Sequence, residues 1–409
     1  MPPTGRLAVQ PWMSDPRTRR VLDALARDGI GVRFVGGCVR DALLGKDVVD
    51  IDLAIDHPPE AAMRALTAAH LKVIPTGIKH GTITAVSGGR PYEITTLRRD
   101  VETDGRHAIV AFTDDWRADA ARRDFTFNAM FCDASGDLWD FFSGRDDLVA
   151  GRVRFVGDAA TRIDEDVLRT LRFFRFHAWY GRAPFDADGF AACRAAAGKL
   201  RSLSAERVRK ELLKLLAADD PAATIEAMAA IGLFSHWLPE HGGTDLLRRV
   251  VANERAVSVA DGLRRLAAII GPAGDATMIG KRLRLSTQES LRLTVMLSAE
   301  PVIDVGHGAA AVRRQVYQLG NALYVDRLMR ASDAGLPAWM QAYRLATTWT
   351  APELPVSGGD VLKAGVPAGR RVGALVAALE GWWIDRDFAP DRAACLAELR
   401  RRIEAGEGA

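Results

Sequence analysis

Two hydrophobic periods divide the chain. Val32 to Val35 is a short apolar run ending in Gly36 and Gly37, and Val39 to Leu44 follows at helical spacing, closed by Gly45. Val48 to Ile55 alternates as VVDIDLAI, which predicts a strand. Pro58 and Pro59 then open a predicted helix, proline being tolerated in a first turn. Leu71 to Ile74, Thr82 to Val86 and Tyr92 to Leu97 read as three more strands, the last two joined by the hairpin signal SGGRP. Arg98 to Phe112 is polar, lacks a period and contains Asp104-Gly105, so it reads as a mobile loop. Past Gly151 the strand signals fade. Helical spacing recurs over Asp164 to Tyr180, Ala205 to Ala218, Ala222 to Ile231, Gly262 to Ile270 and Thr287 to Leu297. It continues over Ala310 to Leu323, Val325 to Ala331, Ala338 to Thr348 and Asp391 to Ala405. The expectation is an α+β chain, with a small α/β head over 1–151 and a long all-helical remainder.

Composition narrows the class. At 409 residues the chain has room for several domains. Apolar residues at 48% and charged residues at 26% exclude wholesale disorder. No apolar run approaches the ~18 residues of a bilayer-spanning helix, so no membrane association is expected. The opening MPPTGRLAVQPW has no apolar core of signal-peptide length, and Cys38, Cys132, Cys193 and Cys395 lie far apart without a C-x-x-C pair. Both points lead to a cytoplasmic protein with reduced thiols. Residues 1–151 carry 19 basic against 22 acidic side chains, whereas 152–215 carry 14 against 8. An acidic head before a basic segment suits a cation site beside a phosphate-binding surface, and suits a merely uneven surface equally well.

The candidate chemistry begins at RFVGGCVRDALLG, Arg33 to Gly45. A strand, the pair Gly36-Gly37 and a helix bring backbone N–H groups to a phosphate, and Arg40 on the first helical turn reaches the same anion. The plain alternative is a Gly-Gly turn. Asp50 and Asp52 lie two residues apart on the predicted strand, so both leave one face, roughly 7 Å apart at Cα. Two like charges there call for a cation, and a pair of Mg²⁺ ions about 3.5–4 Å apart fits them. The alternative is an exposed strand end.

Five motifs occur in order: GGCVRDALLG, DIDLAI, TGIKHGT, RRDFTFNAM and EDVLRTLRFFRF. Over residues 30–216 they resemble the class II nucleotidyltransferases of the polymerase-β superfamily, namely the CCA-adding tRNA nucleotidyltransferases and bacterial poly(A) polymerases. The resemblance implies a catalytic head over 1–151, a neck over 152–216 with base-reading helices, a helical body over 217–330 and a tRNA-binding tail over 331–409. The helical part would be elongated. It further implies addition of C, C and A to tRNA from CTP and ATP, with Asp50 and Asp52 holding Mg²⁺, or Mn²⁺ as the alternative.

In RRDFTFNAM, Arg122 and Arg123 are adjacent, so on a helix they diverge by about 100° and cannot face one partner. One is expected to bind a triphosphate while the other pairs with Asp119 or Asp124, a surface ion-pair cluster being the alternative. The resemblance gives Arg123 to the nucleotide and places Asn128 near the ribose. Asp166, Arg169 and Arg172 recur every three residues, as if on one helical arc. An i,i+3 ion pair would explain them as well. Cytosine and adenine each present an amino donor beside a ring-nitrogen acceptor, while uracil and guanine present a carbonyl beside an N–H. A carboxylate with a neighbouring guanidinium complements the first two and mismatches the others. The family uses the equivalent of Asp166 and Arg169 in this way without a template, and Arg172 is expected nearer the phosphates.

Ser204, Glu206, Arg207 and Glu211 read as a capped, ion-paired helix start that buttresses the base-reading helix. Glu93 is either a third acid facing the metals or a cross-strand partner for Arg98 or Arg99. The basic helices would hold the tRNA acceptor arm and 3′ end through phosphates, and no protein partner is implied. Poly(A) polymerases usually carry a basic G-[RK]-[RK]-F-[RK]-type stretch where this chain has KVIPTGIKHGT. CC-only enzymes typically lack the flexible loop that Asp100 to His107 resembles. An inactivated, non-catalytic RNA-binding relative would not need Asp50, Asp52, Asp166 and Arg169 intact.

Overall fold

The computed structural model describes residues 2–104, 107–303 and 305–407. They divide into two compact units, Met1–His241 with Arg282–Arg284, and Gly242–Lys281 with Leu285–Ala409. The first unit holds ten strands: β1 Gly5–Arg6, β2 Val32–Val35, β3 Asp52–Ile55, β4 Lys72–Gly77, β5 Thr82–Ser87, β6 Arg90–Thr96, β7 Arg98–Asp104, β8 His107–Phe112, β9 Phe131–Cys132 and β10 Asp137–Trp139. Eight form one sheet in the order β1-β10-β9-β2-β3-β6-β5-β4. Every adjacent pair in it is antiparallel except β3 and β6. That parallel pair needs a crossover, which the helix Pro59–Ala68 and the strands β4 and β5 supply.

The helix Pro16–Arg27 opens with Asp15 accepting the Arg17 N–H at 2.8 Å and buries Val21, Leu22 and Leu25. It packs with Pro59–Ala68 on one side of the sheet, and Thr18 Oγ1 and Tyr92 Oη share a buried hydrogen bond of 3.0 Å. A second core gathers Val35, Ala54, Leu97, Ala120, Phe131 and Trp139. Strand alternation gives Asp52 the face of Ala54, so it looks toward this second core.

Two expectations change here. The strand expected over Val48 to Ile55 starts only at Asp52. β2 turns out of the sheet at Gly36, so the residues before Asp52 lose their ladder partner on that side, and an Arg90 guanidinium holds the Val49 carbonyl instead at 3.0 Å. The loop expected over Arg98 to Phe112 is a separate two-stranded ribbon, β7 paired with β8 from Arg98↔Phe112 to Asp104↔His107. A ribbon outside the main sheet imposes no apolar alternation, so periodicity does not report it. Gly105 and Arg106 lie outside the described residues.

After β10 the described residues contain no further strand. The first unit continues with helices Ala159–Glu165, Leu168–Tyr180, Ala187–Ala196, Ala205–Leu216 and Ala222–Ala230. Phe173 and Phe174 are fully buried, and Phe173 stacks on Phe155 with centroids 5.7 Å apart. Among the described residues of the second unit, helices are the only regular elements. One of its cores centres on Tyr324, Leu328, Met329 and Trp339, another on Leu375, Leu379, Trp383 and Leu399. Among the described residues no helix is long and apolar enough to cross a membrane.

Candidate active site

Gly36 leaves β2 with φ 72°, a backbone that side chains with a Cβ seldom adopt, and caps the short helix Gly37–Leu43. A Cβ there would meet Arg123 Nη1 at 3.7 Å and the Asn128 carbonyl oxygen at 3.8 Å, so both ends of the Arg123–Asn128 segment close on the turn. Arg40 is buried. Its Nη1 donates to Asn128 Oδ1 at 2.8 Å, and its Nε and Nη2 donate to the two Asp41 oxygens at 2.9 Å each.

Asp52 is the register partner of Glu93 on parallel β6, which sets two carboxylates side by side on strands about 4.8 Å apart. Glu93 thus stands next to Asp52 in the sheet. Asp50 is exposed and precedes the strand, so it does not share the strand face expected for the pair. Among the described residues no hydrogen bond or ion pair reaches the three carboxylates. Burial, and next the charge of Glu93, push Asp52 up to about 6, with Asp50 adding and Arg123 and Arg40 opposing. A half-buried carboxylate crowded by like charge is a natural ligand for a cation. Among the described residues no three His, Cys, Asp or Glu converge closely enough to hold a metal by themselves. An all-oxygen set of one or two carboxylates nevertheless fits a hard divalent ion, which completes its shell with water and substrate phosphates.

Arg122 and Arg123 overturn the expectation that they cannot share a partner. The helix Trp116–Ala121 ends before them, and both reach Asp119, which is 1% exposed. Arg122 Nε donates to Oδ1 at 2.8 Å, and Arg123 Nε and Nη2 donate to Oδ2 at 3.1 and 2.9 Å. Burial raises Asp119, but Arg123 and Arg122 together bring it below the usual carboxylate range. RRDFTFNAM is not a helix either: a single bridge, Phe125↔Phe155, precedes one 3₁₀ turn at Thr126–Asn128. Asp124 Oδ1 accepts the Asn128 Nδ2 at 3.1 Å, and its Oδ2 accepts Arg172 Nε at 2.7 Å together with Arg172 Nη2. Burial raises Asp124 as well, but Arg172, Asn128 and the Phe125 N–H together bring it below the usual carboxylate range.

Asp166 does not lie on a helical arc with Arg169 and Arg172. It breaks the predicted helix, with φ −154° and ψ 104°, because its Oδ1 accepts the Leu168 N–H at 3.1 Å and starts a new helix there. Its Oδ2 accepts Arg207 Nη2 at 2.6 Å. Arg169 instead pairs with Glu165 and donates to the carbonyls of Arg162 at 2.9 Å and Arg122 at 3.3 Å. Arg172 joins Asp124 to Glu211, 3.8 Å away, and Glu211 accepts Arg175 Nε at 2.5 Å. The helix Ala205–Leu216 therefore grips the helix Leu168–Tyr180 through two ion pairs, although Ser204 makes no side-chain cap bond. Glu165 was the unexpected member; its i,i+4 spacing to Arg169 is the signal for it.

Residues 32–154 match the Poly A polymerase head domain, and residues 185–242 match the probable RNA and SrmB-binding site of polymerase A. Fold and site together define a nucleotidyltransferase, a class that generally uses divalent metals. The chain is 33% identical to the mitochondrial CCA tRNA nucleotidyltransferase 1 of Mus musculus, over 94% of this chain and 89% of the relative. It is 38% identical to the CCA-adding enzyme of Oceanobacillus iheyensis over 57% and 58% of the two chains. The crystal structure of the Bacillus stearothermophilus CCA-adding enzyme in complex with CTP aligns with a TM-score of 0.81 at 28% identity, covering 97% of this chain and 99% of that one. The chain belongs to the CCA tRNA nucleotidyltransferase family, that of the CCA-adding enzymes.

Proposed function

We propose that this chain adds C, C and A in turn to the 3′ end of tRNA from CTP and ATP, without a template and with Mg²⁺, or alternatively Mn²⁺, in its head. The observation that carries the reading is the side-by-side placement of Asp52 and Glu93, unpaired and crowded, next to the Gly36 turn and Arg123. Asp50 and Asp52 hold the metal, which when bound would activate the terminal 3′-hydroxyl and stabilise the pyrophosphate. Gly36, whose own N–H goes to the Met130 carbonyl at 3.4 Å, lets the chain turn beside the triphosphate, Gly37 offers its backbone N–H to it, and Arg40 and Arg123 neutralise it. Asn128, fixed between Arg40 and Asp124, borders the ribose.

Asp166 and Arg169 read the base. Each is held by an ion-pair partner, Asp166 by Arg207 and Arg169 by Glu165, which Arg162 also shares, so the two groups are oriented before a nucleotide arrives. Such preorganisation lets protein side chains do what a template strand does elsewhere. Arg172 contributes through Asp124, which it shares with Asn128. In this reading the head (1–151) and neck (152–216) carry out the chemistry. The body (217–330) and tail (331–409) hold the tRNA. Four buried free cysteines support a reducing compartment, in our reading the cytoplasm.

The test is incorporation by Asp50→Asn and Asp52→Asn. Each folded variant is expected to lose addition of both C and A. Near-wild-type turnover by either would remove the metal assignment.

A further inference from the structure

Tyr180 is the last residue of the helix that carries Arg169 and Arg172, eleven positions beyond Arg169 and so roughly 16 Å along the axis. It is too far from the base-reading end to touch a base held there. Its surroundings belong instead to the helix Gly37–Leu43 that follows the Gly36 turn, and to Lys46 just beyond it. The Tyr180 hydroxyl donates to Asp41 Oδ1 at 3.0 Å. The Arg40 guanidinium lies 4.3 Å from the centre of its ring and Lys46 Nζ lies 4.6 Å from it. Asp41 accepts this hydroxyl on the same oxygen that takes Arg40 Nε. Phe176 and Phe127 flank the ring at 6.0 and 6.1 Å.

We propose that Tyr180 is a positioning residue for the triphosphate end of the incoming nucleotide: its ring and hydroxyl fix Arg40, Asp41 and Lys46 against the far end of the base-reading helix. The physical argument is one of freedom. An arginine on a short helix behind a glycine turn has several rotamers, and a long lysine has more. A π face attracts both cations. The Asp41 carboxylate, held by the hydroxyl, locks the guanidinium plane through paired donors. Phosphate-facing groups set in advance bind without that ordering cost. The hydroxyl stays protonated as a donor, since burial pushes it up to about 12.

This inference rests on the reading that the Gly36–Arg40 turn receives phosphates, and the experiment separates the two. Binding of CMP, CDP, CTP, AMP and ATP is measured by equilibrium dialysis on wild type, Tyr180→Phe, Tyr180→Leu and Arg40→Gln. Steady-state incorporation of C and A is followed in parallel. Tyr180→Phe, which keeps the ring, is expected to weaken CTP and ATP about 3-fold, and Tyr180→Leu roughly 10- to 30-fold. CMP and AMP should bind Tyr180→Leu as they bind wild type, KM should rise with kcat nearly constant, and UTP and GTP should stay excluded. Equal weakening of mono- and triphosphates, or a loss in kcat alone, would overturn the positioning role. If Arg40→Gln also fails to discriminate CMP from CTP, the phosphate reading of the turn falls. If Arg40→Gln discriminates and Tyr180→Leu does not, only the inference falls.

Discussion

Asp52 makes a pH-dependent contribution to the stability of the head. Its carboxyl is pushed from an ordinary 3.8 to about 6, so the ionised form weighs against the folded chain. Below about pH 3 both folded and unfolded states hold the proton and there is no penalty; the penalty grows as pH rises through the interval and is complete above about pH 7. Asp52→Asn should therefore stabilise the metal-free chain near pH 7.5 by on the order of 1–2 kcal/mol, water screening part of the field, and this gain should vanish toward about pH 3. Thermal unfolding at the two pH values checks this, and an equal shift at both would contradict it. A bound cation reverses the sign, because it favours the carboxylate that Asn cannot supply. At Asp166 and Arg169 the prediction concerns choice of base. Replacing Asp166 with Ala removes the partner of Arg207, and replacing Arg169 with Ala leaves Glu165 to Arg162 alone, 3.0 Å away; in the proposed reading either change removes one half of the complement to cytosine and adenine. UTP or GTP should then be incorporated, since a lost matched polar contact costs up to about 10⁴-fold in discrimination in favourable cases. Unchanged C and A selectivity in slowed variants would mean that another element reads the base. The identities of these residues were legible from their motifs, but their partners were not. Asp166 was expected beside Arg169 because periodicity counts positions and ignores an aspartate that accepts its own downstream N–H. Arg122 and Arg123 share Asp119 for a related reason: the helix on which they were expected to diverge ends at Ala121.

Among the elements, the ribbon β7–β8 lies outside the main sheet and connects β6 to the helix Trp116–Ala121, which carries Asp119. One pocket has to accept cytosine twice and then the larger adenine, so some part must change between those steps. A two-stranded ribbon is marginal by itself, which suits a part that moves. Replacing Asp100 to His107 with a minimal turn should leave CC addition largely intact, while the final A addition falls by orders of magnitude. Equal loss of C and A, read as product lengths on one gel, would reduce the ribbon to scaffold, and full A addition would refute the idea. β5 and β6 were legible because one buried face writes a period of two into the sequence, and β2 because a short apolar run ends in a glycine pair. Others left fainter marks. The helix Pro16–Arg27 exposes mostly charge and buries a narrow stripe. The helix Arg370–Ile384, RRVGALVAALEGWWI, mixes glycine with an apolar surface too broad to show a clear period. β9 has two residues and β10 three, too short for any pattern.

For the whole molecule, the sequence announced a mixed head followed by helices, and the chain has that order in the described residues. The limits of its compact units depend on contacts between distant segments, such as the Arg282–Glu240 ion pair at 2.6 Å, and no local pattern records these. Buried charge shows the same limit. Glu254 is fully enclosed between Arg264 at 2.7 Å and Arg265 at 2.6 Å, where composition alone would place three charges on a surface. The central claim concerns what the complete chain makes. A tRNA ending just before CCA, labelled at its 5′ end, is incubated with the full-length protein, Mg²⁺ and all four nucleoside triphosphates, and the products are sequenced at their 3′ ends. The account predicts that C, C and A are added in that order and that extension then stops, with CTP alone halting after two residues. A long run of A, or the entry of U or G by the wild-type chain, would contradict it.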